Sequence, residues 1–151
     1  MQFSTKMRYG TRVLIELAAQ GPGSVVPVKN LAETQCISSK YLERIMSALH
    51  VAGLVKSVRG FHGGYSLTKP ASACRLSEVY AALEGSMAPV ECVDDPTCCS
   101  MTDTCPTRET WTRVKEAMVG VLDDTTLQDL LERRAQKASH SPERNGNEKD
   151  L

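Results

Sequence analysis

The sequence has no apolar run near the roughly 18 residues that a membrane-spanning helix requires. Its first residues, Met1–Arg8, also lack the apolar stretch of a secretory signal. We therefore expect a cytoplasmic protein without a membrane partner. Thiols stay reduced in that compartment, so cysteines that cluster there indicate metal binding or redox sensing rather than a disulfide framework.

Catalytic motifs are missing as well. The chain contains no Cys-x-x-Cys pair, no Ser–His–Asp set and no metal-binding His–Glu motif. These absences argue against a zinc enzyme or a thiol-redox enzyme. We expect neither catalysis nor a small-molecule substrate.

The net charge of zero conceals a segregation of charge between the two halves of the chain. Residues 1–75 contain ten Lys and Arg against three acids, a balance of +7, whereas residues 76–151 contain eight against fifteen, a balance of −7. A basic half indicates a polyanionic partner, with nucleic acid as the first candidate. Chance segregation of surface charge is the alternative, and the pattern of predicted elements favours nucleic acid.

The basic half has the pattern of a winged helix-turn-helix. Ser4 can cap a helix to about residue 20, a short helix follows over 28–35, and Ser38 or Ser39 can cap a longer helix that ends near residue 52. The apolar positions of the longer helix follow the helical spacing i, i+3, i+4, i+7 and are Leu42, Ile45, Met46 and Leu49. Two β segments around a glycine-rich turn then predict a wing over 54–67. Ser77 is expected to cap a further short helix.

The second helix of a helix-turn-helix enters the major groove with its N-terminal residues near the base edges. The candidate contact residues are Ser38, Ser39, Lys40, Tyr41, Glu43 and Arg44. A carboxylate that faces DNA helps only where it accepts a hydrogen bond from a cytosine amino group, so Glu43 is a candidate specificity residue. The alternative is a solvated acid paired with Lys40.

The wing carries Arg59 among glycines, where an exposed arginine can enter a narrow minor groove. His62 is a candidate phosphate contact beside it. Further candidate phosphate contacts are Lys6, Arg8, Lys29 and Lys56. Such contacts position the protein on the duplex without specifying the base sequence. An ordinary hairpin with a surface arginine, or a wing that contacts protein, is the alternative.

Four of the six cysteines lie within fourteen residues, in a proline-bounded loop over about 88–106. Thiolates select iron–sulfur clusters, zinc or copper(I), and the wide spacing suits a cluster better than a structural zinc site. Cys92 and Cys105 terminate the run. One of the adjacent pair, Cys98 or Cys99, is expected to be the third ligand.

A helix predicted from about residue 107 to 122 carries apolar positions spaced 3, 4 and 3, which is typical of a two-helix seam. These seam residues are Trp111, Val114, Met118 and Val121. Symmetric dimers are the commonest oligomers, so we expect a homodimer; packing of this face onto its own domain is the alternative. Thr126 and Asp129 can cap a final helix, after which the polar tail is expected to be disordered.

These elements predict a mainly α fold with a small β-hairpin wing. The expected organisation is a winged helix-turn-helix domain over 1–84, a cysteine-rich loop over 85–106, a dimerisation helix and final helix over 107–135, and a disordered tail over 136–151.

Seven stretches carry a family resemblance, in order along roughly residues 1–132: Met7–Gly10, Ile37–Glu43, Gly53–Gly60, Gly63–Leu67, Leu76–Val79, Cys105–Trp111 and Val121–Leu130. Together they resemble the IscR/NsrR-type winged-helix regulators of the Rrf2 family. The resemblance implies a homodimeric regulator of double-stranded DNA that holds a [2Fe–2S] or [4Fe–4S] cluster through three cysteines. The family spacing of the last two cysteines gives the ligand role to Cys92, Cys99 and Cys105, with Cys98 as a substitute. The family's base-contacting residues fall on Ser38, Tyr41 and Glu43, and its minor-groove arginine falls on Arg59.

The chain departs from this pattern at the fourth ligand. IscR-like members place a histidine where this chain has Arg108, and NsrR-like members supply an aspartate from the partner's first helix, where this chain has Arg8. A guanidinium offers no lone pair to a metal. The candidates that remain are a partner residue, a small molecule, or Cys98, Asp94, Asp95 and Asp103.

The sequence thus predicts a transcriptional regulator whose operator affinity is controlled by a cluster that senses iron or cluster status, redox state or nitric oxide. The alternative is a thiol switch of the same fold without a cluster.

Overall fold

The computed structural model describes residues 3–140. Within that range the chain forms six α-helices and one antiparallel hairpin. The elements are α1 (Thr5–Ala19), α2 (Val28–Gln35), α3 (Ser39–Val51), β1 (Val55–Val58), β2 (Gly64–Leu67), α4 (Leu76–Glu84), α5 (Arg108–Asp123) and α6 (Leu127–His140). This architecture confirms the predicted mainly α fold with a small β wing. No helix in the range is long and apolar enough to cross a membrane.

Three of the predicted helix caps are confirmed by hydrogen bonds. The Oγ of Ser4 accepts from the backbone N–H of Met7 at 3.1 Å, and the Oγ of Ser38 accepts from that of Tyr41 at 3.2 Å. At α6, the Asp129 carboxylate accepts from the Thr126 N–H at 2.7 Å, and Thr126 Oγ1 accepts from the Asp129 N–H at 3.2 Å. These bonds satisfy donors that a helix N-terminus otherwise leaves unpaired.

The predicted cap of α4 is wrong. The helix begins at Leu76, so Ser77 lies inside its first turn, and the capping position is Arg75. The Arg75 N–H donates to the Glu78 carboxylate at 2.9 Å. The acid three residues after the cap therefore supplies the acceptor that we assigned to a serine hydroxyl.

The core lies where α1, α3 and α4 meet. The fully buried side chains are chiefly aliphatic and include Val13, Leu14, Leu17, Leu31, Leu42, Ile45, Met46, Leu49 and Val79. A Cβ at Gly10 would overlap Leu83, so glycine allows α1 and α4 to approach closely. The core covers one face of α3 and leaves its opposite face exposed.

The backbone at Val26, in the segment between α1 and α2, attaches the wing to the rest of the fold. In the hairpin, Val58 pairs with Gly64, and β2 also forms an isolated bridge to Val26. The Val26 N–H donates to the Tyr65 carbonyl at 2.9 Å, and the Tyr65 N–H donates back at 3.0 Å. Because a Cβ at Gly64 would overlap the Val26 carbonyl, this contact requires glycine.

The last helix returns to the N-terminal part of the chain. Leu127 is fully buried and its N–H donates to the Cys74 carbonyl at 2.9 Å, while Arg134 pairs with Glu16 of α1 at 3.0 Å. The helix continues to His140, so residues 136–140 are helical where we predicted the start of a disordered tail. Residues 132–138 are mostly strong helix formers, which extends the helix beyond its last core contact. The rest of the predicted tail, 141–151, lies outside the described residues.

Candidate nucleic-acid interface and cysteine-loop site

The exposed face of α3 brings the predicted DNA-reading residues together. Its buried positions face the core, and this rotation points the opposite side of the helix to solvent. Of the predicted contact residues, Tyr41 is half-buried and the others are exposed: Ser38, Ser39, Lys40, Glu43 and Arg44. The Ser38 hydroxyl caps the helix as an acceptor, so its own hydrogen remains able to donate to another group.

Two residues of α1 position Tyr41, and the sequence did not reveal them. The Tyr9 ring meets the Tyr41 ring edge-to-face, with centroids 6.2 Å apart and an interplanar angle of 89°. The Arg12 guanidinium lies 5.6 Å from the Tyr9 centroid, within the range of a cation–π contact. Tyr9 and Arg12 are three apart on one helical face, which was the available signal. The three side chains couple α1 to the start of the recognition helix.

The wing presents its basic residues to solvent. Arg59 and His62 are exposed in the turn and Lys56 is exposed on β1. The His62 ring packs edge-to-face against Phe61, with centroids 5.0 Å apart. These positions agree with a role for the wing in contacting a polyanion, as the glycine-rich turn suggested.

The predicted phosphate contacts on the helices divide into two groups. Arg8 and Lys29 are exposed; Lys29 lies 3.8 Å from Glu33 on the same helix, and such exposed pairs contribute little energy. Lys6 is different, because its Nζ donates to the Leu83 carbonyl at 2.9 Å in a partly buried position. Lys6 therefore joins α1 to α4, and the prediction of a phosphate contact there is not supported by its position.

The cysteine loop is braced against α5 at two points. The Arg108 Nε donates to the Cys92 carbonyl at 3.0 Å, and Lys115 pairs with Asp94 at 2.6 Å. Asp94 also accepts from the Ser86 hydroxyl. The bonds from Lys115 and then Ser86 hold the pKa of the Asp94 carboxyl below its usual range, so the brace is charged at neutral pH. Arg108 therefore serves as a structural contact between α5 and the loop.

The thiols of the loop are accessible and differ in their surroundings. Cys98 and Cys99 are exposed, while Cys92 and Cys105 are half-buried. The Cys105 Sγ lies 3.3 Å from the Thr107 hydroxyl, and this hydrogen bond, with the N–H groups of Thr107 and Arg108, lowers the pKa of the Cys105 thiol. Partial desolvation and the nearby charge of Glu91 raise the pKa of Cys98. The pKa of the Cys105 thiol therefore lies below that of an ordinary cysteine, and the pKa of Cys98 lies above it.

The remaining two cysteines lie away from the loop. Cys36 is exposed in the turn between α2 and α3. Cys74 is buried next to the start of α6, and burial raises its pKa to about 11, so it stays a neutral thiol at physiological pH.

The loop has suitable donors for a soft metal centre, but they are not brought together. Three of its cysteines match the number that the family resemblance requires, and thiolate sulfur is the ligand that iron–sulfur clusters use. Across residues 3–140, no three His, Cys, Asp or Glu side chains form a group that could hold a metal ion. Two acids proposed as a fourth ligand are engaged in local bonds: Asp94 pairs with Lys115, and Asp95 accepts from the Thr97 N–H at 2.9 Å.

The predicted seam of α5 is uncovered in the single chain. Trp111 is 38% exposed and Val121 is 67% exposed, and Val114 and Met118 are half-buried. Exposed apolar residues on one stripe of a helix indicate a surface that a partner covers. The self-association of this face remains a prediction.

Comparison with known proteins identifies the family. The model of the Rrf2 family, described as an iron-dependent transcriptional regulator, matches residues 3–133. The chain belongs to the Rrf2 family. It is 40% identical to protein rrf2 of Nitratidesulfovibrio vulgaris over 131 residues, which are 87% of each chain. It is 41% identical to the HTH-type transcriptional regulator CymR of Bacillus subtilis over 130 residues, which are 86% of this chain and 89% of CymR.

Solved structures of the Rrf2 family show the same fold. The structure of CymR, the global cysteine regulator of B. subtilis, has a TM-score of 0.72 at 39% identity and covers 88% of this chain and 98% of its own. The T. potens IscR structure has a TM-score of 0.72 at 34% identity, and the match covers 94% of this chain and 93% of the IscR chain. The Rrf2 family consists of transcriptional regulators rather than enzymes, and this chain is a regulator of that family. One relative is described as a cysteine regulator and the family model as iron-dependent, so the control of this regulator has to be argued from its own cysteines.

Proposed function

We propose that the protein is a cytoplasmic homodimeric regulator that binds an operator with two-fold symmetry, and that an iron–sulfur cluster on Cys92, Cys99 and Cys105 sets its operator affinity. The observation that carries this proposal is the bracing of the cysteine loop onto α5, the helix with the exposed seam. We propose the division into a reading head over 1–84, a cluster loop over 85–106 and a dimerisation helix on the same basis.

The reading head has the arrangement that major-groove recognition needs. The N-terminal residues of α3 are exposed, and the wing, which follows α3 in the chain, carries the exposed residues Lys56 and Arg59. Lysine and arginine contacts to phosphate supply affinity. Hydrogen bonds of Ser38 and Tyr41 with base edges, and a bond that Glu43 accepts from a cytosine amino group, would supply specificity. Two heads on one operator require half-sites about 34–36 Å apart for one-turn spacing. The dimer therefore has to hold its heads at a defined separation.

The loop is placed to influence that separation. Arg108 and Lys115, which brace the loop, lie on the same helix as Trp111 and Val121 of the seam. Movement of the loop would pull on α5 near the seam. Since α5 also packs against α4 of the head, a change in the loop would alter how two heads are presented to DNA.

The thiols of Cys92, Cys99 and Cys105 are the groups that would hold the cluster. The cluster would supply an iron- and redox-responsive link among three thiolates. The hydrogen bond with Thr107 lowers the pKa of the Cys105 thiol, and the bond from Arg108 holds the Cys92 carbonyl at the start of α5. Cys99 is exposed, so its side chain can turn toward the other two without disrupting the core.

A second candidate is a thiol switch without a cluster. The observation that favours it is the lack of a preformed group of metal ligands within residues 3–140. Thiolate character and exposure promote oxidation to sulfenate or disulfide. In the loop, the pKa of Cys105 is lowered, and Cys98 and Cys99 are exposed. In this case oxidation of the thiols would move the loop, and the contacts of Arg108 and Lys115 with the loop would shift α5 and the reading heads.

Metal analysis of protein purified without oxygen separates the two candidates. We expect stoichiometric iron and sulfide with visible absorbance, and we expect Cys92→Ala, Cys99→Ala and Cys105→Ala each to lose the colour. Cys36→Ala is the matched control, because it removes an exposed thiol outside the loop and should keep full iron content. Wild-type protein without iron or sulfide would support the thiol switch and contradict the cluster.

A further inference from the structure

The tip of the wing carries an aromatic residue that the fold does not use. Phe61 is 98% exposed, more than any other large hydrophobic side chain in residues 3–140. Burying a phenylalanine is strongly favourable, and this ring, which meets the neighbouring His62 ring edge-to-face, gains almost none of that burial. Its position at the tip of a basic wing instead suggests a role in binding.

The closed turn holds the backbone of Phe61 at the tip of the wing. The Gly63 N–H donates to the Gly60 carbonyl at 3.0 Å, which closes the turn. A Cβ at Gly63 would overlap the Val58 carbonyl and would lie 2.9 Å from the Gly60 oxygen, so the turn has no room for a larger residue. Gly60 has φ of 111°, which an L side chain rarely adopts.

The surroundings of the ring indicate its partner. Arg59 lies two residues before Phe61 in the same turn, and Lys56 is exposed on the strand that leads to it. Cations draw the wing to the phosphate backbone, but an apolar ring gains nothing from phosphate. On a duplex the ring can instead cover sugars and the edges of bases, and apolar side chains do so by wedging into the minor groove.

We propose that Phe61 is a minor-groove contact that inserts at a base step and bends the operator, while Arg59 beside it supplies the electrostatic contact. This inference rests on the proposed DNA-binding function and names the part of the duplex that the wing tip recognises. Insertion of the ring requires a base step to unstack. The ring would therefore favour flexible pyrimidine–purine steps, which unstack readily.

The test compares Phe61→Ala with Arg59→Ala on a duplex that the wild-type protein selects from a randomised pool. We expect Phe61→Ala to bind about 10-fold more weakly with an unchanged salt dependence, since the lost contact is apolar. Arg59→Ala should reduce the slope of log affinity against log salt by about 1, because it loses one phosphate-type contact. Fluorescence energy transfer between labelled DNA ends should show less bending with Phe61→Ala, and Phe61→Leu should retain part of it.

The outcomes distinguish this inference from the proposed function. Equal affinity and equal bending for Phe61→Ala and wild type would overturn the wedge while leaving DNA binding intact. Failure of the wild-type protein to select any duplex would overturn the proposed function itself. Since Phe61 is exposed, its variants should unfold at the wild-type temperature, and a matched melting curve excludes misfolding as the cause of weaker binding.

Discussion

Replacing Val121 with glutamate should convert the protein from dimer to monomer and weaken operator binding by at least about 100-fold, the lower end of what linking two binding modules contributes. Val121 is an exposed apolar residue of the α5 seam. In a two-fold dimer the substitution places two carboxylates against an apolar surface, where each charge is desolvated without a partner. Analytical ultracentrifugation gives the oligomeric state, and titration of a duplex with two half-sites gives the affinity.

Val51→Glu is the control for this prediction. Val51 is 85% exposed at the end of α3, outside the seam, so the same substitution there should leave the dimer intact. A Val121→Glu protein that stays dimeric would show that the stripe on α5 is not the seam and would favour packing of this face within its own chain.

Replacing Gly64 with alanine should destabilise the protein by about 3 kcal/mol, the upper end of the usual range for overpacking. The new Cβ would overlap the Val26 carbonyl, which is backbone and cannot rotate away. The two hydrogen bonds between Val26 and Tyr65 would then lengthen or break, and the base of the wing would separate from the body. Urea unfolding followed by circular dichroism measures the loss, and DNA affinity should fall with it.

Gly120→Ala provides the matched substitution. A Cβ at Gly120 meets nothing within 4 Å, and the residue lies inside α5 one position before Val121 and off the seam stripe. Alanine there should leave stability unchanged or raise it by up to about 1 kcal/mol, because alanine has the higher helix propensity. Equal stability for Gly64→Ala and wild type would contradict the tight fastening of the wing.

Local signals in the sequence predicted most of the fold because each had a direct physical cause. The serines before α1 and α3 and the Thr126–Asp129 pair marked the helix starts, since their side chains cap unpaired N–H groups. The spacing of Leu42, Ile45, Met46 and Leu49 fixed the buried face of α3 and hence its exposed face.

These local signals could not predict contacts between residues that are distant in the sequence. Lys6 looked like any surface cation until the structure brought Leu83 next to it. The contact of Tyr9 with Tyr41 depends on how α1 crosses α3, and the contact of Arg134 with Glu16 joins the last helix to the first. Such pairs follow from tertiary packing, which no spacing along one element specifies.

For the cysteine loop, the sequence predicted the residues that could bind a metal but not the contacts that hold the loop in place. The sequence identified the donors, because thiols are scarce elsewhere and their chemistry is distinctive. It did not specify how the loop is held, since a segment without periodicity gives no rule for which residues meet. The bonds from Arg108 to the Cys92 carbonyl and from Lys115 to Asp94 come from α5, and they connect the loop to the helix with the seam.

The central claim is that the state of the loop cysteines sets operator affinity. The most direct test measures the affinity of oxygen-free protein before and after a chelator removes its iron, for wild type and for the combined Cys92→Ala, Cys99→Ala, Cys105→Ala variant. We predict a shift of about 5- to 150-fold for wild type, as expected for a typical allosteric coupling, and no shift for the variant. An equal affinity of the wild-type protein in both states, or an equal shift in the variant, would contradict the account.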